Sequence, residues 1–140
     1  LITSSAASDV YKRQTTYKMD FRQNNSSKGQ IVVGSSSTAY NTSSDYRLKE
    51  NVTELTGATA RLKQLTPKRF NFIAEPDITV DGFLAHEVSS IVPEAINGEK
   101  DAVDDNGNPQ YQGIDQSKLV PLLVATIQEL EARITALEAE

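Results

Sequence analysis

Ser44-Asp45-Tyr46-Arg47-Leu48-Lys49 is where the chain changes character. Upstream, Ser, Thr, Asn and Gly dominate and apolar anchors are few. Downstream, apolar residues recur at the spacings of helices and strands. The stretch also sets a hydroxyl, Ser44, five residues before an amine, Lys49. It is therefore a boundary of composition and a candidate for chemistry. On this reading residues 15–43 form a polar β segment and residues 44–140 a compact domain.

Going downstream, Ala58, Leu62 and Leu65 lie at offsets of four and three and predict a helix beginning around Thr56 to Ala58. Pro67 stops it. Lys68 to Ile73 alternates as a strand with Phe70 and Phe72 on one face, Glu75-Pro76-Asp77 makes the turn, and Thr79 to Ala85 returns. Both faces of the returning strand are partly apolar, which predicts burial between layers. Glu87 to Val92 reads as a short helix ended by Pro93, and Asn97-Gly98 as a turn. Asp104-Asp105-Asn106-Gly107-Asn108 superficially resembles a calcium loop, but it lacks the closing Glu and the flanking helices of an EF-hand. A hairpin turn between Ala102-Val103 and Gln110-Tyr111 is the better reading.

The last helix runs from about 117 to 140, with Asp115 or Ser117 as cap and Pro121 in its first turn, where a missing N–H costs little. Val120, Ile127 and Ile134 hold one heptad position, and Leu123, Leu130 and Leu137 the other. That alternation is a coiled-coil seam. Gln128, Glu131, Arg133 and Glu138 outside it favour self-association over an amphipathic helix packed on its own domain. The Ile and Leu pattern suits dimers by rule and is compatible with trimers. The fold class is α+β: a small β-sheet packed with short helices, a polar β stub in front and a long C-terminal coiled-coil helix behind.

Upstream of the boundary, Tyr17, Met19 and Phe21 alternate with Lys18, Asp20 and Arg22 as in a half-buried strand. Asn24 to Gly29 is turn chemistry, Ile31-Val32-Val33 a second short strand, and Gly34 to Ser37 a break. Thr38 to Thr42 then leads into the boundary. Such short polar strands bury little area alone. They read either as a linker or as the end of a repetitive β-fibre whose other strands come from sister chains. Residues 1–14 are set apart. Asp9 to Gln14 back-translates as GAT GTG TAT AAG AGA CAG, the end of a transposase adapter used for sequencing libraries, so an adapter read-through is expected there, with residue 15 an arbitrary breakpoint. The alternative is a flexible Ser/Ala-rich terminus.

Bulk composition narrows the function. Hydrophobic residues make up 38% and aromatics 6%, so the core is modest and association is expected to supply part of the stability. The absence of Cys excludes disulfides and cysteine catalysis, and a single His leaves no second imidazole for an ordinary His-based metal site. No metal or other cofactor is expected. A net charge of -5 argues against nucleic acid and anionic membranes as partners, and no apolar run reaches the length of a membrane span.

A serine hydroxyl attacks only with a base within hydrogen-bond reach, and here Lys49 is the available one. Lysine serves when burial or nearby cations depress its pKa, and Arg47 is the neighbouring cation, although in a strand the two would share a face. By spacing alone, the pairing of Ser44 with Lys49 would more often be incidental. His86 reads as a hydrogen-bonded structural histidine rather than a catalyst.

Five stretches together resemble the C-terminal intramolecular chaperone, or auto-cleaving peptidase, family of phage tail spikes and tail fibres known from endosialidases. They are Ser44 to Asn51, Gly82 to Val88, Val92 to Ala95, Tyr111 to Asp115, and Ser117 to Leu123. The resemblance implies a homotrimeric chaperone at the end of a tail-fibre precursor. It holds three chains in register while the upstream β-structure of the same chain folds, then cuts itself off inside the host cytoplasm. Ser44 corresponds to the nucleophile and Lys49 to the general base. The scissile bond adjoins Ser44, at Ser43-Ser44 or Ser44-Asp45. His86 stands where many relatives carry Gln and receives no catalytic role. The long projecting arms of larger relatives are reduced here to the loops Ile73 to Val80 and Asn97 to Gln110. A non-cleaving trimerisation tip is the alternative, and a receptor-binding fibre end the third reading.

Overall fold

A computed structural model describes residues 17–140, so the adapter-like stretch 1–14 lies outside the described residues. Compactness divides the chain into a unit ending at Val52 and a second unit, Thr53–Glu140. Each is α, β or mixed by its own local logic, and together they make an α+β protein.

The upstream unit contains an antiparallel meander of β1 (Tyr17–Gln23), β2 (Ser26–Val33) and β3 (Thr38–Thr42), in the order β1-β2-β3. Met19 pairs with Ile31, and Ile31 with Tyr40 across the other edge. Two expectations change here. The first turn is only Asn24-Asn25, both with positive φ (51° and 61°), the backbone that a two-residue hairpin loop requires and Asn tolerates. The stretch from Ser26 to Gly29 is therefore strand rather than turn. The residues Thr38 to Thr42, read as a lead-in, form a third strand, because the bond from Gly34 N–H to Ser37 C=O reverses the chain onto β2. These strands thus pair within one chain.

The downstream unit is built around a small core: Ala58, Val88, Val92, Ala95, Leu119 and Leu122, with Leu62, Leu65, Phe83, Ile96 and Ile114 against it. Its elements are α1 (Ala58–Leu62), the hairpin β4 (Lys68–Phe72) and β5 (Glu75–Gly82), α2 (Ala85–Val88), a 3-10 turn Pro93–Ala95, the two-residue ladder β6 (Ile96–Asn97) with β7 (Gly113–Ile114), and α3 (Val120–Glu138). In place of one small sheet, the downstream unit has two separate two-stranded ones, and the meander makes a third among the described residues.

The β4–β5 hairpin departs from the sequence reading. Its turn is Ile73-Ala74, and Glu75-Pro76-Asp77 belongs to β5. Asn71 opposes Thr79 while Phe72 opposes Glu75, so Pro76 to Ile78 bulge out of register. A bulge on an edge strand is where Pro, which has no N–H to donate, is tolerated. Asn71 Nδ2 closes the bulge by donating to the Pro76 carbonyl at 2.9 Å and to Thr79 Oγ1 at 3.1 Å. Nor does β5 lie between layers: only Val80 and Gly82 are even partly buried. Further on, the helix read as Glu87 to Val92 starts and ends earlier, at Ala85 and Val88. Ala102 to Gln110 is the hairpin turn expected. Asp104 accepts from the backbone N–H of Asn106 and Asn108 and from Asn108 Nδ2, which holds its carboxyl below the usual range.

Candidate active site

Ser44 and Lys49 meet. Lys49 Nζ lies 2.9 Å from Ser44 Oγ, a hydrogen bond between the two chemically interesting groups of the boundary stretch. Local structure explains the meeting. Ser43 ends the meander, its N–H reaching the Lys28 carbonyl at 3.4 Å and its hydroxyl the Ser27 carbonyl at 3.2 Å. Asp45 is extended and caps a 3-10 turn, Tyr46–Leu48, by accepting from the Arg47 N–H at 2.9 Å. Leu48 N–H then bonds the Asp45 carbonyl and Lys49 N–H the Tyr46 carbonyl, each at 3.1 Å. Lys49 leaves the turn extended, which folds its side chain back toward Ser44.

Arg47 is placed differently from the sequence expectation. It sits in a turn and not in a strand, and its guanidinium faces Asp45, with Nε 2.9 Å from Oδ1 and an Nη 2.8 Å from Oδ2. This forked pairing holds the Asp45 carboxyl below the usual carboxylate range and raises Arg47 further. The cation thus engages its own carboxylate. Ser43, Ser44, Asp45 and Lys49 are all exposed, as are the apolar neighbours Tyr46 and Leu48. His86, too, is exposed, and its backbone carbonyl, rather than its ring, accepts a bond from Ser89 Oγ. The structural histidine expected there is therefore not a buried, bonded one. It lines a largely apolar groove with Phe70, Phe72, Leu84 and Tyr111. Among the described residues no cluster of His, Asp and Glu has the makings of a metal site.

The second functional feature is α3. Asp115 caps the 3-10 turn Gln116–Leu119 that leads into it, accepting from Ser117 N–H at 3.0 Å and Ser117 Oγ at 2.6 Å. One face, with Leu122, Ala125 and Thr126, is turned to the unit's own core, which Leu119 joins from the turn before it. The heptad seam occupies a different face. All six of its residues are exposed, from 41% at Leu130 to 70% at Leu137. The helix therefore packs on its own domain and keeps the apolar stripe free, where sequence had offered these as alternatives.

Sequence reading missed Glu129. Its carboxylate accepts from Ala58 N–H (2.8 Å), Thr59 N–H (2.8 Å) and Thr59 Oγ1 (2.6 Å), capping α1 from α3. The residue at the α1 N-cap is Gly57, at φ 69°, which has no side chain to do this. Hydrogen bonds from Thr59, and then from the backbone, hold Glu129 below its ordinary range. Only the missing cap side chain at Gly57 hinted at it. The Asp45 cap was likewise not read from the sequence, although an Asp just before a turn is a local Asx-turn signal.

Residues 44–97 match the peptidase-family model described as chaperone of endosialidase. The match begins at Ser44 and bears out the resemblance over that stretch; Tyr111 to Asp115 and Ser117 to Leu123 lie beyond it. No curated protein matches the chain.

Proposed function

We propose that this endosialidase-type chaperone domain holds three copies of its chain together, assists folding of an upstream tail-fibre β-structure, and then releases itself by a serine-lysine cut beside Ser44. The observation that carries the reading is the contact between Lys49 Nζ and Ser44 Oγ at the first residue of the family match. Lys49 takes the hydroxyl proton as Oγ attacks a carbonyl carbon. Attack on the preceding Ser43 carbonyl closes a five-membered ring, whereas attack on the Ser44 carbonyl itself closes a strained four-membered one. Of the two bonds beside Ser44, ring size favours Ser43-Ser44. Its C–N bond breaks, the Ser44 amine leaves with the proton carried by Lys49, and Ser43 is left esterified to Ser44 Oγ. Water then hydrolyses the ester to a Ser43 carboxylate and restores the hydroxyl.

Two features support the assembly part. The exposed seam of α3 offers six apolar side chains, each worth roughly 1.5–3 kcal/mol on full burial, to two further copies of the same helix. Strand pairing between chains is slow and prone to register slips, and a trimerising helix raises local concentration and sets register. The exposure of Ser44, Lys49, Tyr46 and Leu48 in the single chain supports a site that is desolvated, and so activated, only when folded fibre strands or sister chains cover it. The cut then makes the fibre fold hard to reverse. The setting is a virion tail-fibre precursor, with the chaperone part released in the host cytoplasm.

Denaturing gels of residues 15–140 test this. A fragment near residues 44–140 in the wild type that disappears in both Ser44→Ala and Lys49→Ala is the expected result. An intact wild-type chain that is trimeric in solution would instead establish the non-cleaving trimerisation tip.

A further inference from the structure

The Asp45 carboxylate is engaged at both oxygens by one neighbour. Its Oδ1 accepts from the Arg47 backbone N–H and from Arg47 Nε, both at 2.9 Å, and its Oδ2 from an Arg47 Nη at 2.8 Å. These bonds span the 3-10 turn that lies between Ser44 and Lys49. We propose that Asp45 and Arg47 are positioning residues for the self-cleavage reaction, locking the turn that folds Lys49 onto Ser44 and keeping the Asp45 carboxylate away from the lysine. The inference rests on the serine-lysine reading above and adds two residues to it.

Geometry makes the turn necessary. Five residues of extended chain span roughly 17 Å, more than a lysine side chain can bridge to a serine hydroxyl. The observed 2.9 Å contact therefore exists only because Tyr46–Leu48 coils. A 3-10 turn of three residues has poor intrinsic stability and depends on its caps. Here the caps are the Asp45 side chain at one end and the Lys49 N–H to Tyr46 carbonyl bond at the other. The planar guanidinium of Arg47 matches the carboxylate with two parallel bonds, a fit that an ammonium cannot reproduce.

The fork has a second consequence. An Asp45 carboxylate without it would be an acceptor four residues from Lys49, able to draw the lysine Nζ off Ser44. Occupying both oxygens leaves Ser44 Oγ as the partner of Lys49. The pair is exposed, so its loss is expected to leave the melting of the folded protein nearly unchanged, and only the placement of Lys49 on Ser44 would register it.

The test compares self-cleavage rates of the full chain in Arg47→Ala, Arg47→Lys, Asp45→Ala and Asp45→Asn, with thermal melting as the fold check. Arg47→Ala and Asp45→Ala are expected to cleave about 10- to 100-fold more slowly, with melting unchanged. Asp45→Asn should recover most of the loss, because its amide oxygen still accepts the Arg47 N–H and carries no charge to attract Lys49. Arg47→Lys should stay slow. Both alanine variants cleaving within about threefold of wild type overturn the positioning role and leave the serine-lysine reading standing. Should either alanine variant fail to fold, Arg47→Lys at the wild-type rate, or Asp45→Asn with no cleavage, overturns it. A wild-type chain that stays intact, or a Ser44→Ala chain that is cut, overturns both.

Discussion

Glu129 on α3 accepts hydrogen bonds from the N–H and the hydroxyl of Thr59 on α1, at 2.8 and 2.6 Å. The helix that carries the heptad seam is thereby tied by charge to the first helix of its unit, and the two also share the apolar core through Ala58 and Leu122. A carboxylate at a helix N-terminus satisfies orphan N–H groups and interacts favourably with the helix dipole. Because hydrogen bonds hold Glu129 below its ordinary pKa, its stabilisation is fully present above the unfolded-state value and is lost as pH falls through the lowered folded value. Thermal melting across the acidic range should therefore show a decline in wild type that is weaker in Glu129→Gln. Glu129→Gln and Glu129→Ala should both melt lower than wild type near neutral pH, Ala more so.

Two faces of α3 should respond in opposite ways. Leu122 is 2% exposed, so Leu122→Ala should cost about 2–5 kcal/mol in denaturant unfolding. Ile127 and Ile134 are exposed, so Ile127→Asp with Ile134→Asp should leave the secondary structure of the protomer intact. Sedimentation of the double variant should give a monomeric mass against a trimeric wild type. A wild-type chain that sediments as a monomer would defeat the assembly reading.

The position of the cut is open to mass spectrometry. Cleavage through the five-membered ring predicts a downstream fragment whose first residue is Ser44. Hydroxylamine, which attacks esters and spares amides, should accelerate release and leave a hydroxamate on Ser43. A fragment beginning at Asp45 would refute the ring-size argument.

The meander offers a conformational test. Asn25 has φ 61°, in the left-handed region. A β-branched residue fits badly there, so Asn25→Val should destabilise the β1–β2 hairpin by about 1–2 kcal/mol, while Asn25→Gly should be tolerated. Amide hydrogen exchange of Met19 and Ile31, which pair across the hairpin, would register the difference.

Local pattern was enough for much of this protein. The strand from Tyr17, the offsets of Ala58, Leu62 and Leu65 and the Asp115 cap each depend on neighbours a few residues away, and the structure keeps them, although α1 ends at Leu62, short of Pro67, and Met19 and Phe21 are exposed where a half-buried face was expected. The five spaced stretches pointed to the chaperone family, and the match over residues 44–97 agrees. Tertiary structure decided matters in which distant or competing partners set the outcome. Asn71 reaches Pro76 and Thr79 and moves a turn from Glu75-Pro76-Asp77 to Ile73-Ala74. Thr38 to Thr42 becomes a strand because β2 offers it an edge. Glu129 caps a helix far away in the chain, which no local spacing encodes. At the boundary stretch the sequence supplied a serine and a lysine five apart, a separation equally compatible with an extended chain that keeps them apart. The fork of Arg47 on Asp45 and the turn it spans bring the two within 2.9 Å.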